Sequence, residues 1–145
     1  MPDDTIETLE RNASTLEALR VLAASVSDDD LEQSLGGGWV VATAFAHLAF
    51  WDRRQALTIR RYLETGAFIE EDETVNPSIE PLLLALPPRR AVELALGAGE
   101  LVNEVVAGLE EAPLAAIEAS AHAYLARRWA HREEHMAQIE AGLGR

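Results

Sequence analysis

Four stretches with hydrophobic residues at helical spacing, cut apart by glycine and proline, constrain this chain more than any other feature. Asp4 with Glu7 three residues on reads as a helix start, and Ile6, Leu9, Ala13, Leu16 and Ala23 follow at helical spacing. That helix should end near Val26, where "SVSDDD" breaks the pattern. Gly36, Gly37 and Gly38 mark a turn, and a second helix runs from about Val40 to Glu64 and stops at Gly66. A third starts at Pro88 and carries Ala95, Leu101, Val102, Val105 and Leu109; Pro113 opens a fourth that reaches about Gly142. Gly97 and Gly99 weaken the third helix by about 1 kcal/mol each relative to alanine, unless close packing needs small residues there.

Four long amphipathic helices in one 145-residue domain make an all-α four-helix bundle. Helices two and three are separated by residues 66–88, with an acidic "EEDE" run, the Asn76-Pro77 pair and the Pro87-Pro88 doublet. Asn76 and Pro77 suit an N-cap and a first helical turn, so a short helix is predicted over 77–86. A connection of this length permits a crossover along the bundle as well as a hairpin, and loop length alone leaves the choice open.

The composition narrows function. With 25 acidic against 12 basic residues and a net charge of −13, the chain is repelled by phosphate backbones and anionic lipid, which argues against nucleic acid and membrane as partners. There is no cysteine, so no protein thiol serves as nucleophile or ligand. "MPDDTIETLERN" lacks the basic and apolar regions of a signal peptide. The longest uncharged run, residues 33–51, leaves 13 apolar-rich residues from Trp39, too short to span a bilayer. A soluble, cytoplasmic protein is expected.

Helix four changes character along its length. On a heptad seam one row is Leu114, Ala121, Arg128 and His135, the other Ile117, Tyr124, His131 and Gln138. The seam begins apolar and ends Arg, His, His, Gln, in positions the pattern assigns to the core, where unsatisfied polar groups cost free energy. His131 and His135 project about 40° apart and about 6 Å along the axis, a spacing that lets two imidazoles share one ion. A solvated C-terminal turn explains such a pair equally well. His47 is the one titratable group in "VVATAFAHLAFW"; a lone histidine there is usually a hydrogen-bonded core residue. Taken with the pair it completes a three-imidazole shell for a catalytic divalent ion. His122, nine residues before His131, points away and reads as a bystander. His47 reaches the level of the pair only if helices two and four run antiparallel, which an up-down-down-up bundle with a long second connection provides.

"GGGWVVATAFAHLAFWDRR" and "HREEHMAQIE" resemble the Trp-to-His opening of helix two and the C-terminal His-x-x-x-His of the DinB-like superfamily, and the resemblance runs the whole length. It implies an up-down-down-up bundle and a metal on His47, His131 and His135, and a low-molecular-weight thiol as co-substrate, as in mycothiol-dependent maleylpyruvate isomerase. The additional C-terminal domain of that isomerase has no counterpart in this sequence, so its particular substrate does not carry over.

The leading reading is a metal-dependent enzyme of the thiol-transferase or isomerase kind, with zinc or nickel first and iron or manganese as alternatives. Arg54 and Arg128 either hold a substrate carboxylate or pair on the surface, and Tyr124 and Gln138 either act as donors to the site or simply pack. "HREEH" also matches the His-x-x-Glu-His of inverted zinc proteases, with Glu134 as base, but their third ligand lies further along and only ten residues follow His135. The non-enzyme alternative is a metal-stabilised bundle or interaction protein. The expected partners are a small-molecule substrate and, as an option, a second copy in a homodimer.

Overall fold

The computed structural model describes residues 3–145, and these are mostly helical. The α-helices are α1 (Asp3–Ser25), α2 (Asp28–Leu31), α3 (Val41–Thr65), α4 (Val75–Ala85), α5 (Pro88–Ala107), α6 (Glu111–Ala119) and α7 (Arg128–Gly142). A small antiparallel hairpin, β1 (Ser34–Gly36) with β2 (Trp39–Val40), precedes α3. No helix of the described residues is long and apolar enough to cross a membrane.

The elements end where local chemistry stops them. Gly66 closes α3 in the left-handed conformation, φ 71°, with its N–H donating to the Tyr62 carbonyl. The "SVSDDD" segment that ends α1 is itself a short helix: the Ser27 hydroxyl accepts from the Asp30 N–H while the Asp30 carboxylate accepts from the Ser27 N–H, a capping box. Helix α4 begins at Val75, so Asn76 lies inside it and spends its side-chain oxygen elsewhere, as described below.

Two apolar clusters fill the interior. The larger joins Leu16, Leu19 and Leu22 of α1 to Phe45 and Leu48 of α3 and Val92 and Ala95 of α5. The smaller gathers Ala56 and Ile59, Val102 and Val106, Leu114 and Ile117, and Leu125. Helix packing is close at Gly99, where a Cβ would stand 2.7 Å from Leu16 Cδ1; at Gly97 it would meet nothing within 4 Å. Of the two glycines, only Gly99 answers to packing.

Two expectations fail. The buried face of α1 is not Ile6 and Ala13, which are exposed, but Thr5, Thr8, Asn12 and Thr15 followed by Leu16, Leu19, Leu22 and Ala23. Its first half faces polar groups: Thr8 donates to Glu118 at 2.9 Å, and Asn12 Nδ2 donates to the Ala126 carbonyl at 2.7 Å. The fourth helix is also not continuous. It breaks after Ala119, passes through a 3-10 turn at Ala123–Leu125 and restarts at Arg128. Asn12 Oδ1 accepts the Trp129 N–H at 3.0 Å, so a side chain from α1 caps α7 in place of a local one. With no glycine or proline between 114 and 141, the chain itself carries no sign of this break.

Candidate metal centre

The restart of α7 sets which residues face inward. Arg128, Arg132, His135 and Ile139, spaced four, three and four apart, are buried, and His131 sits at the edge of that stripe. From α3, Phe45, Leu48, Asp52, Gln55 and Ile59 form the matching inward stripe, with His47 beside it. The two stripes bring His47, His131 and His135 together.

The three rings meet through one nitrogen each. Nε2 of His131 lies 3.1 Å from Nε2 of His47 and 3.1 Å from Nε2 of His135. Metal–imidazole bonds are about 2.0–2.1 Å, so a 3.1 Å separation corresponds to an N–metal–N angle of about 98°. That lies between the angles of a tetrahedral and an octahedral face, so each of these two nitrogen pairs is spaced to share one metal ion. Burial, with help from the neighbouring His135 and Arg128 charges, pushes the His47 pKa down to about 4. The same causes, burial first and then Arg128, take His131 to about 2. Both rings are therefore neutral at pH 7, as ligation requires.

The outer contacts fix ring orientation. His135 Nδ1 donates to Gln138 Oε1 at 2.9 Å, which leaves its Nε2 lone pair facing the centre. Arg128 Nη2 donates to His131 Nδ1 at 3.0 Å. A guanidinium cannot accept, so in the neutral His131 ring the proton sits on Nε2, among the other two nitrogens. To ligate through Nε2 as a neutral ring, His131 would have to carry its proton on Nδ1 instead, and Arg128 Nη2 would have to turn away from it. Arg128 is itself held by Asp52 at 2.9 Å and by the Tyr124 carbonyl at 2.9 Å. Asp52 also binds Arg132, and Arg132 donates to the Asn12 and Gly99 carbonyls and to Asn103 Oδ1. Asp52 and Arg132 are 0% exposed, so a carboxylate and two guanidinia lie buried directly beneath the histidines.

Two tryptophans flank the rings. Gly36, Gly37 and Gly38 all take positive φ, between 61° and 86°, and this tight return places Trp39 over the site. The Trp39 indole stands 5.1 Å from the His47 ring and stacks on His135 at 6.1 Å. Trp51 lies 6.4 Å from His47 on its other side. Both indole N–H groups donate to α4, Trp39 to Glu80 and Trp51 to Asn76, so α4 is tied across the centre.

A cavity of about 260 Å³ opens beside His47 and His131, lined also by Trp51, Gln55, Glu71 and Tyr124. A second hollow of about 420 Å³ adjoins His135 between Trp39, Glu134 and Gln138. Tyr124 thus faces the first cavity, and burial with the nearby Glu71 and Glu70 carboxylates raises its pKa, so it stays an O–H donor. Gln138 orients His135. Arg128 has every nitrogen engaged by the protein and orients His131. Arg54 does not line the cavity; it donates to the Thr58 hydroxyl. His122 lies apart from the three histidines, stacked on Phe68 at 4.4 Å with Nε2 3.0 Å from Glu70. Sequence reasoning missed Asp52, Arg132 and Asn12. The first two had a signal: each is a charged residue on a stripe of otherwise inward positions. Asn12 had none.

Comparison with known proteins found no matching family model, no matching curated protein and no matching solved structure.

Proposed function

We propose that this chain is a metal-dependent enzyme of the DinB-like type, holding one divalent ion on His47, His131 and His135 and acting with a small thiol in transferase or isomerase chemistry. The observation that carries the reading is the convergence of three imidazole Nε2 atoms beside an open cavity. A dication held by neutral imidazoles supplies Lewis acidity and lowers the pKa of a bound thiol or water. The chain has no cysteine, so the sulfur arrives with the co-substrate.

The remaining groups have definite tasks in this reading. Gln138 aims His135, and Arg128 holds the His131 ring in place before an ion arrives. Trp51 walls the cavity against water, and Tyr124 donates from its O–H to the bound substrate. Gln55 Oε1, buried and without a hydrogen-bond partner, is an acceptor waiting for a donor. Arg54, near enough to Tyr124 to act on its charge, attracts a substrate carboxylate toward the mouth.

The matching fold proposal is an up-down-down-up bundle of α1, α3, α5 and the α6–α7 segment, with residues 66–87 crossing between α3 and α5. Residue pairings support it. Thr8 meets Glu118 and Ser25 meets Arg145, rising together along α1 and the last segment. Arg20 meets Glu100 while Asn12 meets Asn103, running oppositely along α1 and α5. His47 meets His135 and Asp52 meets Arg128, running oppositely along α3 and α7.

The test has two stages. Elemental analysis of protein purified without chelator should give one divalent ion per chain, lost in His47→Ala, His131→Ala and His135→Ala but kept in His122→Ala. Equal metal in all four variants removes the site. The cobalt form, titrated with mycothiol, bacillithiol or glutathione at neutral pH, should then develop sulfur-to-metal charge-transfer absorption that saturates. A loaded centre whose spectrum no thiol alters refutes the thiol chemistry and leaves the ion structural or hydrolytic.

A further inference from the structure

The outward face shared by α3 and α5 carries a pattern that the metal centre does not use. Two hollows lie along the seam between these helices. One, of about 450 Å³, is floored by Ala46, Ala49 and Ala98 and walled by Phe50 and Leu94. The other, of about 270 Å³, lies between Arg60 and Leu63 on α3 and Glu104 and Gly108 on α5. Leu57, Leu63 and Leu94 stand 47%, 52% and 37% exposed along the face, apolar surface that association would remove from water.

The charges on this face are sorted by helix. On α3, Arg53, Leu57 and Arg60 follow one another at spacings of four and three, and so share one stripe. On α5, Glu93 and Glu104 border the same two hollows. The side chains of Arg53, Arg60 and Glu104 have no ion-pair or hydrogen-bond partner among the described residues, and that of Glu93 pairs only with Arg90 on its own helix. In a chain with 25 acidic and 12 basic residues, two unpaired arginines on one stripe stand out.

The two helices also rise together: Phe50 and Arg53 share a hollow with Leu94 and Gly97, and Arg60 and Leu63 share the other with Glu104 and Gly108. A two-fold axis parallel to the helices and lying in the face therefore sets α3 of one copy over α5 of the other at equal height. Arg60 then meets Glu104 of the second copy. Arg53 meets Glu93 about one turn away, about 6 Å along the axis and within the span of an arginine side chain. Each pair occurs twice, as an isologous interface demands, and the exposed leucines enter the facing hollows. A two-fold across the helices instead stacks arginine on arginine and glutamate on glutamate. We infer that a second copy of this chain docks on the α3–α5 face through these self-complementary charge rows and the apolar seam between them.

Sedimentation velocity of the full chain between about 1 and 100 µM, with chelator present, should show a species of twice the chain mass. The half-reversals Arg53→Glu with Arg60→Glu, and Glu93→Arg with Glu104→Arg, should each weaken association at least about tenfold. The four substitutions combined should restore it. The two half-reversals move net charge in opposite directions, so loss in both with recovery in the combination isolates the specific pairing from bulk repulsion. Far-UV circular dichroism checks that each variant keeps its helix; Leu57→Ser, a single exposed change expected to weaken the dimer, serves if a double variant does not fold. A wild-type chain monomeric at 100 µM overturns the inference. So does a dimer indifferent to both half-reversals and to Leu57→Ser.

Discussion

Replacing Asp52 with asparagine tests the buried charge network while leaving side-chain shape almost unchanged. Asp52 accepts from Arg128 at 2.9 Å and from Arg132 at 3.1 Å, and among the described residues it is the one acid bonded to either. With charge centres about 4 Å apart and an effective dielectric of about 20, each pair is worth about 4 kcal/mol of gross attraction. Most of that is cancelled by desolvation in the intact network. In the asparagine variant the desolvation remains and the attraction goes, a change that costs about 3–5 kcal/mol in buried pairs generally. Burial already pulls the Arg132 guanidinium below its ordinary pKa, with Asp52 as the opposing influence, so the loss falls on a group under strain. For a chain of this size the cost should appear as a drop in Tm of about 8–16 °C.

Urea and thermal unfolding followed at 222 nm, with chelator present so that no ion contributes, supply the measurement. Asp29→Asn, an exposed acid in a short helix, is the control and should lie within about 0.5 kcal/mol of wild type. A double-mutant cycle with Arg132→Met should return a coupling of at least about 2 kcal/mol, because removing the cation relieves what removing the anion exposed. An Asp52→Asn cost below about 1 kcal/mol, or a cycle that closes to zero, refutes the claim that this network is desolvated. Loss of the Asp52 anchor also frees Arg128, and through it His131, so ion affinity should fall about 10–100-fold.

Acid should destabilise the metal-free protein through the histidines. His47 and His131 have folded pKa values of about 4 and about 2 against 6.5 when unfolded, so the unfolded chain binds more protons below pH 6.5. Their contribution is whole above that pH and is lost as pH falls toward 4; allowing for solvent screening, about 2 kcal/mol should go between pH 7.5 and pH 5, and a flat urea midpoint over that range refutes it. Gly99→Ala drives a Cβ to 2.7 Å from Leu16 Cδ1 and should cost about 1–2 kcal/mol despite better helix propensity, whereas Gly97→Ala, facing open space, should stabilise by up to about 1 kcal/mol; equal effects in denaturant titrations refute the packing argument. Asn12→Ala removes the cap of α7 and the bond to Ala126, and should cost about 2–3 kcal/mol with a parallel loss of ion affinity; unchanged affinity shows that the restart of α7 does not position the histidines.

Much of this arrangement was legible from residue spacing, and the parts that were not share a cause. Helix α3 ends and α5 begins at the glycine and proline signals, because Gly66 and Pro88 act on their own backbone. The three histidines were legible because their chemistry is rare in this chain. The break between α6 and α7 was not: Ser120 to Arg127 contains good helix formers, and the interruption is made by Asn12, more than a hundred residues away. Reading one heptad seam through that break put Gln138 inside and left out Arg132, which is fully buried. The hydrophobic pattern of α1 misled for a related reason. Ile6 and Ala13 fit a helical face, but the face that α1 buries in its first half is the one that can hydrogen-bond to Glu118, Ala126 and Trp129.

The same contacts decide what an ion does to this protein. His135 is aimed by Gln138 and by stacking on Trp39, and His131 by Arg128 through Asp52, all of them protein–protein contacts. A site fixed by such contacts leaves an ion little of the chain to order. Its stabilisation then follows mass action alone, about 2.7 kcal/mol at a free concentration a hundredfold above Kd. That separates this centre from a zinc finger, whose fold disappears with its metal. The chelated protein should therefore keep its full far-UV signal and a cooperative transition, displaced downward by an amount set only by ion concentration and affinity.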